Sequence, residues 1–110
     1  MDIKKQMTAA TNGIWVYWDE VEVLLKSSSK LFITIRENST IDGKINEYEL
    51  AKQFAEHFVI DWRGITNDGV DFPCTPENKK LLFDCSLKFY QFIISAVANF
   101  DTLKEVEIKN

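Results

Sequence analysis

Between Gly13 and Leu25 the side chains follow a period of two. Ile14, Val16 and Trp18 are interleaved with Trp15 and Tyr17, and Val21 and Val23 with Glu20, Glu22 and Leu24. β-Branched and aromatic residues at this period predict two strands. Asp19-Glu20 between them predicts a turn, and so a β-hairpin over about residues 13–25. A lone hairpin is marginal in water and needs something to pack on. After Ile45 the period changes. Tyr48, Ala51, Ala55, Phe58 and Trp62 stand at spacings of 3, 4, 3 and 4, and Ile45, Leu50 and Phe54 widen the stripe. Glu47, Glu49, Lys52, Gln53 and Glu56 fill the other side. This pattern predicts an amphipathic helix over 45–62, stopped by Gly64 as a glycine after the last turn often does.

Asn67-Asp68-Gly69 reads as a turn. In Thr75-Pro76-Glu77, the threonine suits an N-cap, the proline the first helical position and the glutamate the positive end of the helix dipole. A short helix is therefore expected over about 76–83, with Glu77 and Asn78 satisfying loop backbone groups at its start. Asp84 is expected to cap a last helix over 85–100. Leu87, Phe89, Tyr90, Phe92, Ile93, Ile94, Val97 and Phe100 cover more than one face of it. The segment KLFITIREN is ambiguous: Ile33-Thr34-Ile35 favours a strand, whereas Ser29 can cap a helix that puts Leu31, Phe32 and Ile35 on one face. Residues 1–12 are polar and expected to be flexible. Residues 104–110 alternate charge with Val106 and Ile108 and are expected to form an exposed polar tail.

The expected architecture is α+β and mostly helical, an N-terminal β-hairpin packed on about four helices, with residues 13–103 as a single domain. The 63–75 loop is expected to fold back over Trp62. At 110 residues the chain has the length of one domain, and its 45% apolar and 27% charged content is that of a globular protein. A net charge of −4 without a basic run argues against nucleic acid as a partner. The N-terminus shows no apolar signal-peptide core, and no run approaches 18 uninterrupted apolar residues. No membrane association is expected, and Cys74 and Cys85 are read as reduced thiols in a cytoplasm.

The segment NSTIDGKINEYE, residues 38–49, partly matches a calcium-binding EF-hand loop. Asn38, Thr40, Asp42, Lys44, Asn46 and Glu49 would occupy the ligand positions, with Gly43 at the sharp turn. Such a loop would be weak, because it holds only two carboxylates and lacks the usual first aspartate. Its flank also carries Lys30, Thr34 and Glu37 where apolar residues are expected, and no second loop is present to pair with it. The plainer reading is an Asp42-Gly43 turn leading into the helix.

Cys74, Cys85 and the lone His57 do not make a zinc site of ordinary spacing. A Cys–His nucleophilic pair would need one thiol to meet His57 in space, and no signature surrounds either cysteine. Cys85 at a helix start would have a lowered pKa. No Gly-rich phosphate loop is present. No catalytic residue, cofactor or metal ligand is assigned, and no enzymatic activity is expected. What remains is an apolar surplus of eight Phe, three Trp and three Tyr. That surplus implies either a fully buried core helix or apolar surface left for a partner or for further copies of the chain.

Residues 59–84, VIDWRGITNDGVDFPCTPENKKLLFD, resemble a segment of small proteins encoded in the tail modules of tailed phages and prophages. The matching positions are Asp61, Trp62, Gly64, Ile65, Asp68, Gly69, Thr75, Pro76, Glu77, Asn78, Leu81, Leu82 and Asp84. Gly13, Trp15 and Val16 resemble the opening strand of that family, and Ala98-Asn99-Phe100 its end, so the likeness spans about 13–100. Cys85 departs by standing where the family often has proline. The resemblance implies a tail assembly chaperone, which holds an apolar tape-measure protein in solution until tail tube subunits polymerise around it. It implies a protein partner, the host cytoplasm as the place of action, and no cofactor. It also implies a helix for residues 30–37.

Overall fold

The computed structural model describes residues 3–100 and Leu103. The expected polar tail, residues 104–110, lies outside the described residues. The fold is α+β and mostly helical. In chain order it runs α1 (Lys4–Thr11), β1 (Ile14–Trp18), β2 (Val21–Leu25), α2 (Ser29–Asn38), β3 (Thr40–Ile41), β4 (Lys44–Ile45), α3 (Glu47–His57), β5 (Val59–Arg63), β6 (Thr66–Asn67), β7 (Val70–Asp71), α4 (Pro76–Cys85) and α5 (Leu87–Ala98).

β1 and β2 form the expected hairpin, turning at Asp19 with φ of 57°. The hairpin does not stand alone. β5 pairs antiparallel with β2 and makes it the central strand of three, with Val23 opposite Trp62 and a bulge at Leu24/Leu25. The helix expected over 45–62 is thereby corrected: α3 ends at His57, and Val59–Arg63 is a strand. Val-Ile-Asp-Trp-Arg continues the helical spacing but also suits a pleated edge, and a hairpin offering an open edge decides between the two. Gly64, with φ of 92°, therefore ends a strand and not a helix.

The inner face of the sheet carries Ile14, Val16, Val23, Leu25, Val59 and Trp62, all buried. These meet Ala51, Phe54 and Ala55 of α3 and Phe89, Ile93 and Ala96 of α5 in one hydrophobic cluster. Aromatic contacts tie the layers together: Trp18 lies 5.3 Å from Phe89 and 5.4 Å from Phe92, and Trp62 meets Phe89 edge-on at 6.1 Å. On the outer face the Arg63 guanidinium sits 3.7 Å over the Trp15 ring and bonds Glu22 at 3.0 Å.

The N-terminal segment corrects a second expectation. Lys4–Thr11, expected to lack regular structure, forms a helix. Its sequence has weak amphipathic character, and tertiary contacts hold it: Ala9 is buried and accepts a hydrogen bond from the Ser27 amide at 3.0 Å, and Lys5 Nζ reaches the Leu103 carbonyl at 3.1 Å.

α2 is a helix, starting one residue earlier than expected. Ser28 is its N-cap, its hydroxyl accepting from the Leu31 amide at 3.1 Å. Ile35 is buried and Phe32 stacks on Phe54 at 5.6 Å, so helical facing outweighs the strand preference of Ile-Thr-Ile.

Candidate functional site

Ser86 is the pivot of an open, largely apolar surface. It is extended (φ −119°, ψ 107°), ends α4 and caps α5 by accepting from the Phe89 amide at 3.1 Å. The two helix axes bend by 105° there. This corrects the capping role expected of Asp84, which lies inside α4. It also moves Cys85 from a helix start to a helix end. A groove of about 720 Å³ opens at this elbow, lined by Tyr48, Phe83, Asp84, Cys85, Ser86, Leu87 and Tyr90. Phe83 is buried behind it, whereas Leu87 is 70% exposed and Tyr48 56% exposed. Tyr48 donates its hydroxyl hydrogen to Asp84 Oδ1 at 3.2 Å, and that bond raises its pKa above the usual phenol range. On the other side of Cys85 a second groove, of about 270 Å³, is lined by Ile65, Phe72, Leu81 and Leu82. An apolar band thus crosses both sides of the end of α4.

The residues of the 61–84 motif build the support of this band. Trp62 is buried, and its Nε1 donates to the Phe72 carbonyl at 2.6 Å, so the loop does fold back over the indole as expected. Asp61 Oδ1 accepts from the Trp62 amide at 2.8 Å. Asp68 and Gly69, with φ of 52° and 80°, make the tight turn between β6 and β7. Thr75 caps α4 by accepting from the Asn78 amide at 3.1 Å, Pro76 holds the first turn and Glu77 stands in it. Asn78 Nδ2 donates to the Pro73 carbonyl at 2.9 Å, and Gly64 closes β5. These positions act by shaping backbone. The surface they support is contributed by Leu81 of the motif itself, by Tyr48, which the sequence places on the apolar stripe of the long helix, and by Leu87 and Tyr90 of the apolar last helix. The legible signal was the width of the apolar stripe on α5, which exceeds what one buried face needs.

Residues 38–49 adopt a geometry unlike an ion-binding loop. Thr40–Ile41 and Lys44–Ile45 pair as a small hairpin around Asp42 and Gly43. The Asn46 side chain caps α3 by accepting from the Glu49 amide at 3.0 Å, and Glu49 Oε1 accepts from Gln53 Nε2 at 3.1 Å. The helix thus starts at Glu47, after a two-residue strand, and not directly from the Asp42-Gly43 turn. Among the described residues no group of three or more His, Cys, Asp and Glu side chains is placed to hold a metal ion. His57 ends α3 and is exposed, and among the described residues no hydrogen bond or ion pair joins it to either thiol. Cys74 is half-buried, and burial pushes its thiol up to about 11. That is opposite to the activation a nucleophile needs.

Residues 19–110 match the family model described as YdaY prophage protein. The chain belongs to this family. The matched region runs from the hairpin turn through β2, the whole motif segment and both elbow helices, leaving α1 and β1 before it. No match was found among curated proteins or among solved structures. In this YdaY-family protein, then, the matched region contains both the polar scaffold of the motif and the grooves it supports.

Proposed function

We propose that this prophage protein acts by protein–protein contact in tail morphogenesis, as a chaperone-like subunit that holds apolar segments of a tape-measure or other tail protein. The observation that carries the reading is the open groove at the α4–α5 elbow, with Leu87 70% exposed at its mouth. A holdase needs apolar surface that stays accessible in the folded state, with enough charge around it to keep the protein dissolved. The net charge of −4 meets the second need. The prophage family and the resemblance of residues 59–84 to tail-module proteins support the same assignment. The partner is a protein, with self-association of the chain as a second contact of the same kind, and the place of action is the host cytoplasm. No catalytic step, cofactor, nucleic acid or membrane enters the proposal.

Co-expression with the tape-measure protein of the same prophage tests it. The soluble fraction of that protein should rise with the wild-type chain and fall back with Leu87→Asp. Leu87 is solvent-facing, so this variant should retain its thermal midpoint. Unchanged solubility of the tape-measure protein with the wild-type chain would sink the proposal.

A further inference from the structure

The elbow groove differs from the surfaces beside it in charge. Asp84 is the one acidic side chain on its walls, and among the described residues no lysine or arginine lines it. The nearby basic residues line other clefts, although Lys52 and Glu49 on α3 both stand close enough to Tyr48 to act on it electrostatically, with opposite sign. Lys52, Lys79 and Lys80 line the cleft between α3 and α4, and Lys88 lines a separate groove with Trp18 and Phe92. Three aromatic rings accompany Asp84. Tyr48 lies 5.6 Å from Phe83 with the planes at 55°, and Phe83 lies 5.9 Å from Tyr90 at 51°, so the rings form a curved wall and not a flat stack. The Tyr48 hydroxyl bonds Asp84 Oδ1 at 3.2 Å, which holds the carboxylate at the rim of the wall.

Ring faces carry negative electrostatic potential, and a carboxylate adds a full charge. A cation with an apolar stem suits such a place. Guanidinium suits it better than ammonium, because it is weakly hydrated, stacks on rings and pairs with carboxylate in a fork. We propose that the groove of Tyr48, Phe83, Asp84, Leu87 and Tyr90 captures an arginine side chain set within an apolar stretch of the partner polypeptide. Leu87 and the floor at Phe83 cover the stem and the flanking apolar residues, while Asp84 and the tyrosine rings hold the head. This rests on the proposed partner-binding role and adds what the bound segment must contain.

Synthetic peptides of Leu and Ala with one central Arg, and matched peptides with Gln or Glu in its place, test the proposal by fluorescence anisotropy on the full chain. The Arg peptide should bind roughly five- to thirtyfold more tightly than the Gln peptide, with the Glu peptide weakest. Asp84→Asn should abolish the preference, bringing the Arg and Gln peptides to similar affinity. Tyr48→Phe keeps the ring and frees the carboxylate, so the preference should persist, with circular dichroism checking both variants. Equal binding of Arg and Gln peptides by the wild-type chain overturns the proposal, as does a preference that survives Asp84→Asn. In either case the partner-binding reading stands if co-expression still solubilises the tape-measure protein. No binding of any peptide overturns the capture site, and the broader reading falls with it only if co-expression also fails.

Discussion

Trp62 Nε1 donates to the carbonyl oxygen of Phe72 at 2.6 Å, and the two rings lie parallel within 2°, their centroids 6.0 Å apart. One residue thus fastens the third strand to the loop that leads into α4. Trp62→Ala removes the buried ring and should cost about 3–5 kcal/mol of stability. Trp62→Phe keeps a ring but leaves the Phe72 carbonyl without its donor, and should cost about 1–3 kcal/mol. Urea unfolding measures both. A loss under about 0.5 kcal/mol for Trp62→Ala would contradict the burial of the indole.

Gly13 and Gly43 both have positive φ, at 81° and 77°, but their surroundings differ. A Cβ at Gly13 would stand 2.9 Å from the Leu25 carbonyl oxygen and 3.1 Å from Leu24, whereas a Cβ at Gly43 meets nothing within 4 Å. Gly43→Ala should cost about 1 kcal/mol from backbone strain alone. Gly13→Ala should cost more, because the β1–β2 ladder must shift. Equal thermal midpoints for the two variants would refute this ordering.

The two thiols should separate cleanly in alkylation. Cys85 is exposed, whereas Cys74 is half-buried with its thiol near 11 against an ordinary 9.0. Two pH units mean about a hundredfold less thiolate at neutral pH. Iodoacetamide followed by peptide mass spectrometry should therefore label Cys85 first. Stability has the matching sign. Between pH 9.0 and about 11 the unfolded chain has released the Cys74 proton while the folded chain retains it. Stability falls as pH rises through that window, and Cys74→Ser should flatten this contribution in pH-dependent melts.

Asn46→Ala should remove about 1 kcal/mol by leaving the first turn of α3 uncapped. Millimolar calcium should leave the thermal midpoint of the wild-type chain unchanged, since the Asn46 side chain is held by the Glu49 amide. A calcium-dependent rise that Asn46→Ala abolishes would restore the ion-binding reading of residues 38–49.

Several elements are legible because their signals are local. The Thr75-Pro76-Glu77 start carries its own cap, fixed φ and dipole charge, and α4 begins there. The hairpin carries its alternation and its turn within twelve residues. The site was less legible. Tyr48 continues the helical stripe of Ala51, Ala55 and Phe58 in sequence, yet it faces the groove and not the core, because α4 and α5 bend away beneath it. Leu87 belongs to the apolar last helix, which the sequence leaves as either core or partner surface, and it is exposed for the same reason. A spacing pattern says which residues share a face, and not whether another element arrives to cover it.

The amino-acid sequence by itself determined the α+β class, the hairpin, the start of α4, the turns at Asp42-Gly43 and Asp68-Gly69 and the apolar surplus of the last helix, since each depends on neighbours a few positions away. Tertiary structure alone decided that Val59–Arg63 leaves the helical stripe to become the third strand and that the polar Lys4–Thr11 segment is a helix. Both outcomes depend on a partner distant in sequence: the open edge of β2, and the Ser27 and Leu103 backbone. Local preference there is close to balanced, so a hydrogen-bond ladder or a buried contact from elsewhere in the chain sets the result.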